Sequence, residues 1–280
     1  METTERRLRL EDLAGCVALS RSANWNQNEA DWRLMLELGH GWGVFAPDGT
    51  LAASTLVLPY GGRFAWVSMV LVLPAQRRKG YATKLLRVAL DDLRRRGLTP
   101  MLDATPAGRE VYLQEGFRDT WAFSRLRSSS SAPGEAAPGV RSLAAADWPS
   151  VLALDAPAFG ASREPLLRVL AARLPAAALV AERAGRMVGY LLGRDGREAH
   201  QLGPLIAVDQ KAACALLTAA LERVAPPLYV DVVDHAPGLR QWLEARGFVL
   251  QRTFTRMVHG AHPAPGDQRR LFLVAGPELG

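Results

Sequence analysis

The residues best suited to chemistry form a basic loop, Gln76 to Ala82, between an apolar run and a long helical pattern. At a helix N-terminus the first backbone N–H groups have no partner within the helix, and the helix dipole is positive there. Gly80 lets backbone approach a ligand without an intervening Cβ. Positive charge and a hydroxyl come from Arg77, Arg78, Lys79 and Thr83. The loop therefore predicts a cradle for a pyrophosphate; a basic loop with a glycine for turning is the alternative.

Such a cradle needs a strand before it and a helix after it, and the sequence supplies both. Phe64 to Leu73 is an apolar run closed by Pro74, and Gly80 to Arg96 carries apolar residues at helical spacing. The same rules predict further helices at 11–21, 29–38 and 106–115, and strands at 43–46, 51–58, 100–103 and 117–126. Alternating strands and helices predict the α/β class.

The second half of the chain repeats this order. A shift of 131 residues places Val72–Leu126 on Gly203–Met257 without a gap. The pair Gly116-Phe117 recurs as Gly247-Phe248, and shared helical periodicity does not explain that match. We infer an internal duplication.

A linker sequence lies between the two copies. Ser128 to Gly139 is rich in Ser, Pro, Gly and Ala, which predicts a flexible linker. The predicted units are therefore a first domain at 1–127, a linker at 128–139 and a second domain at 140–280. A chain of 280 residues with 49% hydrophobic residues is long enough for two such cores.

Composition argues against several classes of function. The net charge of +6 is mostly scattered arginine, and the run Arg94 to Arg96 lacks interleaved aromatic residues for stacking bases, which disfavours nucleic acid. No apolar stretch of membrane-spanning length occurs, and the charged start lacks a secretory signal, so we expect a cytoplasmic protein without membrane contact. Cys16, Cys214 and five dispersed histidines predict neither a disulfide framework nor a metal site.

The order strand, Arg-x-x-Gly-x-Ala loop, amphipathic helix, and Tyr112 before Gly116-Phe117 resembles the GNAT superfamily of N-acetyltransferases. The resemblance covers most of residues 5–127. It implies two tandem domains, each with a mixed, mostly antiparallel sheet flanked by helices, and acetyl-CoA as co-substrate. The implied contacts are strand residues Val70, Leu71 and Val72 for the pantetheine arm, and loop residues Arg77, Arg78, Lys79, Gly80, Tyr81, Ala82 and Thr83 for the pyrophosphate.

A narrower resemblance is to a bacterial tandem-GNAT subfamily. It rests on Asn26-Gln27, Asp31-Trp32, the LDATPAGREVY segment and the ending GPELG. Under the repeat shift, the positions of Arg77, Gly80 and Tyr112 become Val208, Lys211 and Leu243. These changes predict an active first domain and a degenerate second GNAT domain.

Acetyl transfer to an amine needs a neutral amine, a polarised thioester carbonyl and a stabilised leaving thiolate. The resemblance assigns protonation of the thiolate to Tyr112, whose alternative role is aromatic packing. Backbone N–H groups near Val70 to Val72 are suited to polarise the carbonyl. Asp103 at a strand end is the candidate base, although it is equally placed to bond the turn at Thr105-Pro106. Two further alternatives are His235, a histidine suited to deprotonate an amine at neutral pH, and a water relay without a dedicated base.

The acceptor site is expected where the halves meet. If they pack through related edges, the second half walls the acceptor opening, and the candidate acceptor-binding residues are Asn26, Asp231, Asp234 and His235. The predicted function is transfer of an acetyl group from acetyl-CoA to a primary amine of a small molecule. Two alternatives are a non-catalytic acyl-CoA-binding regulatory or sensor protein, and an enzyme that modifies RNA or protein.

Overall fold

The computed structural model describes residues 3–130 and 138–280, and both halves alternate strands with helices. The first half contains β1 (Thr4–Arg7), α1 (Leu13–Ser22), α2 (Glu29–Leu38), β2 (His40–Phe45), β3 (Leu51–Tyr60), β4 (Phe64–Val72), α3 (Tyr81–Arg95), β5 (Thr99–Ala104), α4 (Pro106–Gln114) and β6 (Phe117–Ser128). The second half contains β7 (Val140–Ser142), α5 (Trp148–Phe159), α6 (Glu164–Arg173), β8 (Leu179–Arg183), β9 (Arg186–Arg194), β10 (His200–Ala207), α7 (Gln210–Arg223), β11 (Leu228–Val233), α8 (Pro237–Glu244), β12 (Val249–His259) and β13 (Leu271–Leu273). Most of the predicted linker, at 131–137, lies outside the described residues.

Local sequence explains the helix that carries the loop and the helix that follows it. α3 packs its buried face, including Leu85, Leu86 and Ala89, against the sheet, as its spacing predicts. α4 begins at Pro106, and the Thr105 side chain accepts a hydrogen bond from the backbone N–H of Gly108. Both helices therefore start close to where the sequence predicts.

The strands of both halves form one mixed sheet, and the equivalent strands β6 and β12 are exchanged between the halves. The order is β1-β2-β3-β4-β5-β12-β6-β11-β13-β10-β9-β8-β7. β12 from the second half lies between β5 and β6, and β6 from the first half lies between β12 and β11. Only β4–β5 and β10–β11 pair in parallel among the described strands. The predicted mixed α/β class is confirmed, with the two halves joined through a common sheet.

The centre of the sheet relates the two repeats. Phe123 and Phe254 are paired across β6 and β12, and their rings stack with centroids 5.0 Å apart. These are equivalent residues under the 131-residue shift. The approximate symmetry axis of the duplication therefore passes between these two rings.

The gap-free alignment of the two copies is wrong at two points. Eight residues separate β4 from α3, whereas two separate β10 from α7. The second copy has therefore lost most of the loop, so Val208 and Lys211 do not replace Arg77 and Gly80 position for position. Strand register also makes Asp231, rather than Asp234, the counterpart of Asp103.

Candidate active site

The sheet splits between β4 and β5. The two strands pair in parallel only from Phe64 to Trp66, opposite Thr99 to Met101, so the later part of β4 is free of β5. A bulge accompanies the split: Met69 has a φ of 51°, and the Ser54 hydroxyl donates a hydrogen bond of 2.7 Å to its carbonyl. An unpaired strand edge offers backbone donors and acceptors to an extended ligand.

A groove runs from this strand edge to the N-terminus of α3. We call it the outer groove; its lining includes Val70, Leu71, Val72, Arg77, Arg78, Gly80, Tyr81, Ala82 and Thr83, together with Ala23, Trp25 and Gln76. The sequence thus predicted most of its lining. Lys79 is the exception, because its ammonium donates to Gln76 Oε1 at 2.8 Å and it is absent from the lining.

Gly80 leaves the helix end open. It has a φ of 79°, and no heavy atom lies within 4 Å of the position of a Cβ there. As N-cap of α3 it provides no side-chain hydrogen bond to the first turn. Since the N–H groups of that turn lack a capping side chain, they are available to an anion in the outer groove.

A second space, the inner cavity, adjoins the outer groove at Trp25 and Val70. Its remaining lining comes from both halves of the chain: Gln27, Val67, Ser68, Met69, Leu102, Asp103, Thr105, Tyr112, Arg125, Arg252, Phe254, Pro277 and Glu278. The second half therefore forms part of its wall.

Tyr112 lies on α4 and faces the inner cavity. Its ring meets Phe117 edge to face, with centroids 5.9 Å apart, and an added Cβ at Gly108 would lie 3.0 Å from it. Burial raises the pKa of Tyr112 to about 12. The phenol therefore keeps its proton at neutral pH.

Asp103 faces the inner cavity from β5, and Arg256 on β12 holds it. The Nε and Nη2 atoms of Arg256 donate to the two carboxylate oxygens at 2.9 Å each. Arg256 in turn lies over the rings of Trp66 and Trp121, at 4.4 and 4.2 Å. Burial raises the pKa of Asp103 to about 6, against the lowering influence of Arg256. The turn at Thr105-Pro106, an alternative partner, is not where this carboxylate bonds.

The other predicted acceptor-binding residues have different surroundings. Asp231 is buried and accepts two hydrogen bonds from Arg125, at 2.8 and 2.7 Å. Asn26 is buried too, and its amide bonds the backbone of Glu198 and Ala199. None of these residues lines the inner cavity, except Arg125.

Asp234 and His235 lie further away. The Asp234 carboxylate accepts from the Ser124 hydroxyl at 3.0 Å, and His235 Nε2 is 2.8 Å from the Gln268 carbonyl. Both residues are exposed, and neither lines the inner cavity. They follow β11, which lies on the far side of β6 from β5, so strand exchange removes them from the opening.

Sequence reasoning missed two charged groups of the wall, Arg252 and Glu278. Glu278 is held in place because the Trp66 indole donates to the Pro277 carbonyl at 3.0 Å and the Tyr60 hydroxyl to the Leu279 carbonyl at 2.8 Å. The repeat shift aligns Arg252 with Trp121, so the repeat gives no signal for a charged residue at this position.

The corresponding region of the second half is closed. The Asp209 side chain caps α7 by accepting from the N–H of Ala212 at 2.8 Å, so a carboxylate of the chain itself occupies that helix end. β13 pairs with both β10 and β11, filling the split between them. Leu243, the counterpart of Tyr112, is fully buried.

The described residues contain no group of three or more His, Cys, Asp or Glu side chains arranged to hold a metal ion. None of their helices has the length and apolar character needed to cross a membrane.

Family models match both halves of the chain. Residues 9–117 match the model described as "Acetyltransferase (GNAT) family", and residues 151–273 match the model described as "Acetyltransferase (GNAT) domain". A curated relative, "Uncharacterized N-acetyltransferase YitH" of Bacillus subtilis (strain 168), is 22% identical over 245 residues, which is 86% of each chain.

Solved structures share the fold. A putative acetyltransferase from Pyrococcus horikoshii superimposes with a TM-score of 0.85 at 21% identity, covering 99% of this chain and 96% of that one. A GCN5-related N-acetyltransferase from Sphaerobacter thermophilus gives 0.68 at 17% identity, covering 95% and 98%. A tandem GNAT protein from the clavulanic acid biosynthesis pathway gives 0.65 at 16% identity, covering 94% and 99%. With a GNAT match in each half, the chain belongs to the GNAT acetyltransferase family and carries two GNAT domains in tandem.

Proposed function

We propose that the first half binds acetyl-CoA in the outer groove and that the protein transfers the acetyl group to a primary amine of a small molecule in the inner cavity. The observation that carries the proposal is the junction of the two spaces at Val70, on the free edge of β4. A cosubstrate lying along that edge would present its reactive end to the inner cavity. A concave space with several converging polar side chains suits a small molecule.

The outer groove fits the chemical parts of acetyl-CoA. The open N-terminus of α3, Gly80, Arg77 and Arg78 suit the pyrophosphate, because backbone N–H groups and guanidinium groups both bind phosphate oxygens well. The free backbone of Val70 to Val72 suits the amides of the pantetheine arm. Lys79 contributes long-range charge rather than contact.

Two side chains of the inner cavity are suited to donate and accept the protons that the reaction transfers. Acetyl-CoA supplies an activated acetyl thioester. Tyr112 holds a proton at its hydroxyl oxygen for the departing sulfur, and its raised pKa keeps that proton in place until charge develops. Asp103 accepts the proton that the amine loses as its nitrogen bonds to the acetyl carbon. Arg256 fixes the orientation of Asp103.

The second half contributes structure to this site rather than a second reaction centre. Its loop is short, its helix end is capped by Asp209, and β13 fills the split that the outer groove requires. We therefore propose one acetyl-CoA per chain.

A calorimetric titration combined with a thiol-release assay tests the proposal. We expect one equivalent of acetyl-CoA to bind, and CoA to be released when a suitable primary amine is added. Binding without release across a broad amine panel would favour the sensor alternative. Absence of binding would contradict the proposal altogether.

A further inference from the structure

Arg252 on β12 projects into the wall of the inner cavity, where it is half-buried. The wall's other arginine, Arg125, is paired with Asp231 at 2.7 Å. The Arg252 guanidinium forms no ion pair or hydrogen bond with any residue in 3–130 or 138–280. A half-buried guanidinium without an anionic partner is costly unless a ligand supplies one.

A second arginine beside Arg252 increases the free-energy cost of leaving its charge without a partner. Arg252 and Arg125 are directly opposite each other on β12 and β6, and like charges in such cross-strand pairs repel. Burial, together with Arg125, lowers the pKa of Arg252, while Tyr229 and Asp231 oppose that effect. An anion in the inner cavity would relieve both the burial and the repulsion.

Other residues of the same cavity present unpartnered acceptors. Glu278 Oε2, Ser68 Oγ and Gln27 Oε1 are buried and have no hydrogen-bond partner among the described residues. Buried polar atoms are normally paired, so these positions suit a ligand with several N–H donors. An amine is such a ligand.

The charges behind Glu278 favour a cation at this position. Glu278 pairs with Arg194, Arg194 pairs with Asp31, and Asp31 pairs with Arg173, which also binds Asp195. This series of ion pairs contains three carboxylates and two guanidiniums. It therefore leaves a net negative charge to complement the positive charge of the arginine on β12.

We propose that the acceptor is an amine that also carries an anionic group, a carboxylate or a phosphate. Arg252, next to Arg125, binds the anion, and Glu278 with Ser68 and Gln27 binds the amine nitrogen. The inference rests on the proposed function, because it specifies the acceptor of the same reaction. It excludes simple polyamines as preferred substrates.

Matched acceptor pairs test the proposal. The thiol-release assay compares L-amino acids and β-alanine with their carboxamides, and phosphoethanolamine with ethanolamine; spermidine represents an amine without an anion. We expect kcat/KM to be higher for the anionic member by on the order of tenfold, which a charge-assisted hydrogen bond can supply. If amino acids and β-alanine are preferred over phosphoethanolamine, the anionic group is a carboxylate. If phosphoethanolamine is preferred over them, the anionic group is a phosphate.

Two variants separate a specific contact from general charge. Arg252→Gln should raise KM for anionic acceptors by about tenfold and abolish the preference, with affinity for acetyl-CoA unchanged. Arg127→Gln removes an exposed arginine from the neighbouring strand β6 and should preserve the preference. Equal rates for both members of every pair in the wild-type protein, or equal loss for both in Arg252→Gln, would overturn the proposal.

A binding measurement keeps this test distinct from that of the proposed function. The same compounds are titrated calorimetrically into protein saturated with CoA. If no acceptor releases thiol but anionic amines bind and require Arg252, the acetyltransferase proposal fails and the ligand class stands. If none of the anionic amines binds or reacts, the ligand class is wrong.

Discussion

Arg256 and Asp103 lie directly opposite each other on β12 and β5, and two hydrogen bonds of 2.9 Å join them across the two halves of the chain. Arg125 and Asp231 repeat the arrangement on β6 and β11. Each of the two exchanged strands, β6 and β12, thus carries an arginine to an aspartate of the other half. The duplicated chain uses one pair beside its candidate reaction centre and the other beside the proposed acceptor-binding wall.

The cofactor proposal makes a prediction for Gly80. Gly80→Asp should abolish acetyl-CoA binding, because a carboxylate would stand beside the pyrophosphate at the open end of α3. Isothermal titration calorimetry measures the effect. Gly97→Asp is the matched control: Gly97 follows the other end of α3, has a φ of 66° and likewise has no atom within 4 Å of a Cβ. Unchanged affinity in Gly80→Asp, or equal loss in both variants, would contradict the assignment.

Tyr112→Phe should keep acetyl-CoA affinity and lower turnover by about a hundredfold, the usual contribution of a general acid. The variant removes the hydroxyl and retains the ring, so packing against Phe117 persists. Single-turnover kinetics with a good acceptor isolate the chemical step. A wild-type single-turnover rate would reduce Tyr112 to a packing role.

The pKa of Asp103 predicts a pH profile. Asp103 accepts a proton only when ionised, and burial raises its pKa to about 6. With an aliphatic amine that titrates near 10, log kcat/KM should rise with unit slope through neutral pH and fall with about twice that slope below pH 6. Protonation of the amine accounts for the unit slope, and protonation of Asp103 accounts for the additional slope below pH 6.

Arg256→Gln provides the directional test of that profile. Arg256 lowers the pKa of Asp103, so its removal should move the break to a pH above 6. Circular dichroism verifies that the variant is folded, because it loses a buried ion pair. A profile without a break near 6 in the wild type, or a break that Arg256→Gln leaves in place, would remove Asp103 as the base.

Local signals made the first half of the site predictable. Gly80, the arginines beside it and Tyr112 lie in one contiguous stretch, where strand, loop and helix follow from spacing and turn chemistry. The strand exchange was not predictable in this way. β6 and β12 are copies with matching Phe and Arg positions, so either strand satisfies the pattern beside β5. Only three-dimensional packing decides between them.

Single residues outside any sequence motif were the other part of the site that could not be predicted. Arg252 and Glu278 belong to no periodic pattern, and their significance depends on the charges that surround them. Likewise, the lost loop of the second copy was hidden because the gap-free alignment begins at Val72, the last residue of β4, and so does not compare β4 with β10. His235 illustrates the converse, since a residue chosen for its chemistry lies outside the cavity.

The strand exchange predicts that the first half does not fold alone. In a chain that ends at Arg127, β6 would lose both neighbours, and β5 would keep only its short pairing with β4. Phe123 and Leu126, fully buried in the intact protein, would be exposed, at about 1.5–3 kcal/mol each. Such a loss is large compared with the usual stability of a domain.

Separate polypeptides of residues 1–130 and 138–280 test this prediction. Each fragment alone should aggregate or lack cooperative thermal unfolding, whereas the two mixed during refolding should form a 1:1 complex that binds acetyl-CoA. Size-exclusion chromatography, circular dichroism and calorimetry measure these outcomes, and the intact chain is the reference. The mixture restores β12 to its place between β5 and β6 without rejoining the chain. Recovery of folding would therefore show that the missing strands, and not the chain break, prevent each fragment from folding. A monomeric, cooperatively folded fragment 1–130 with native acetyl-CoA affinity would mean that β6 can replace β12 beside β5, and that the exchange is dispensable for the first half.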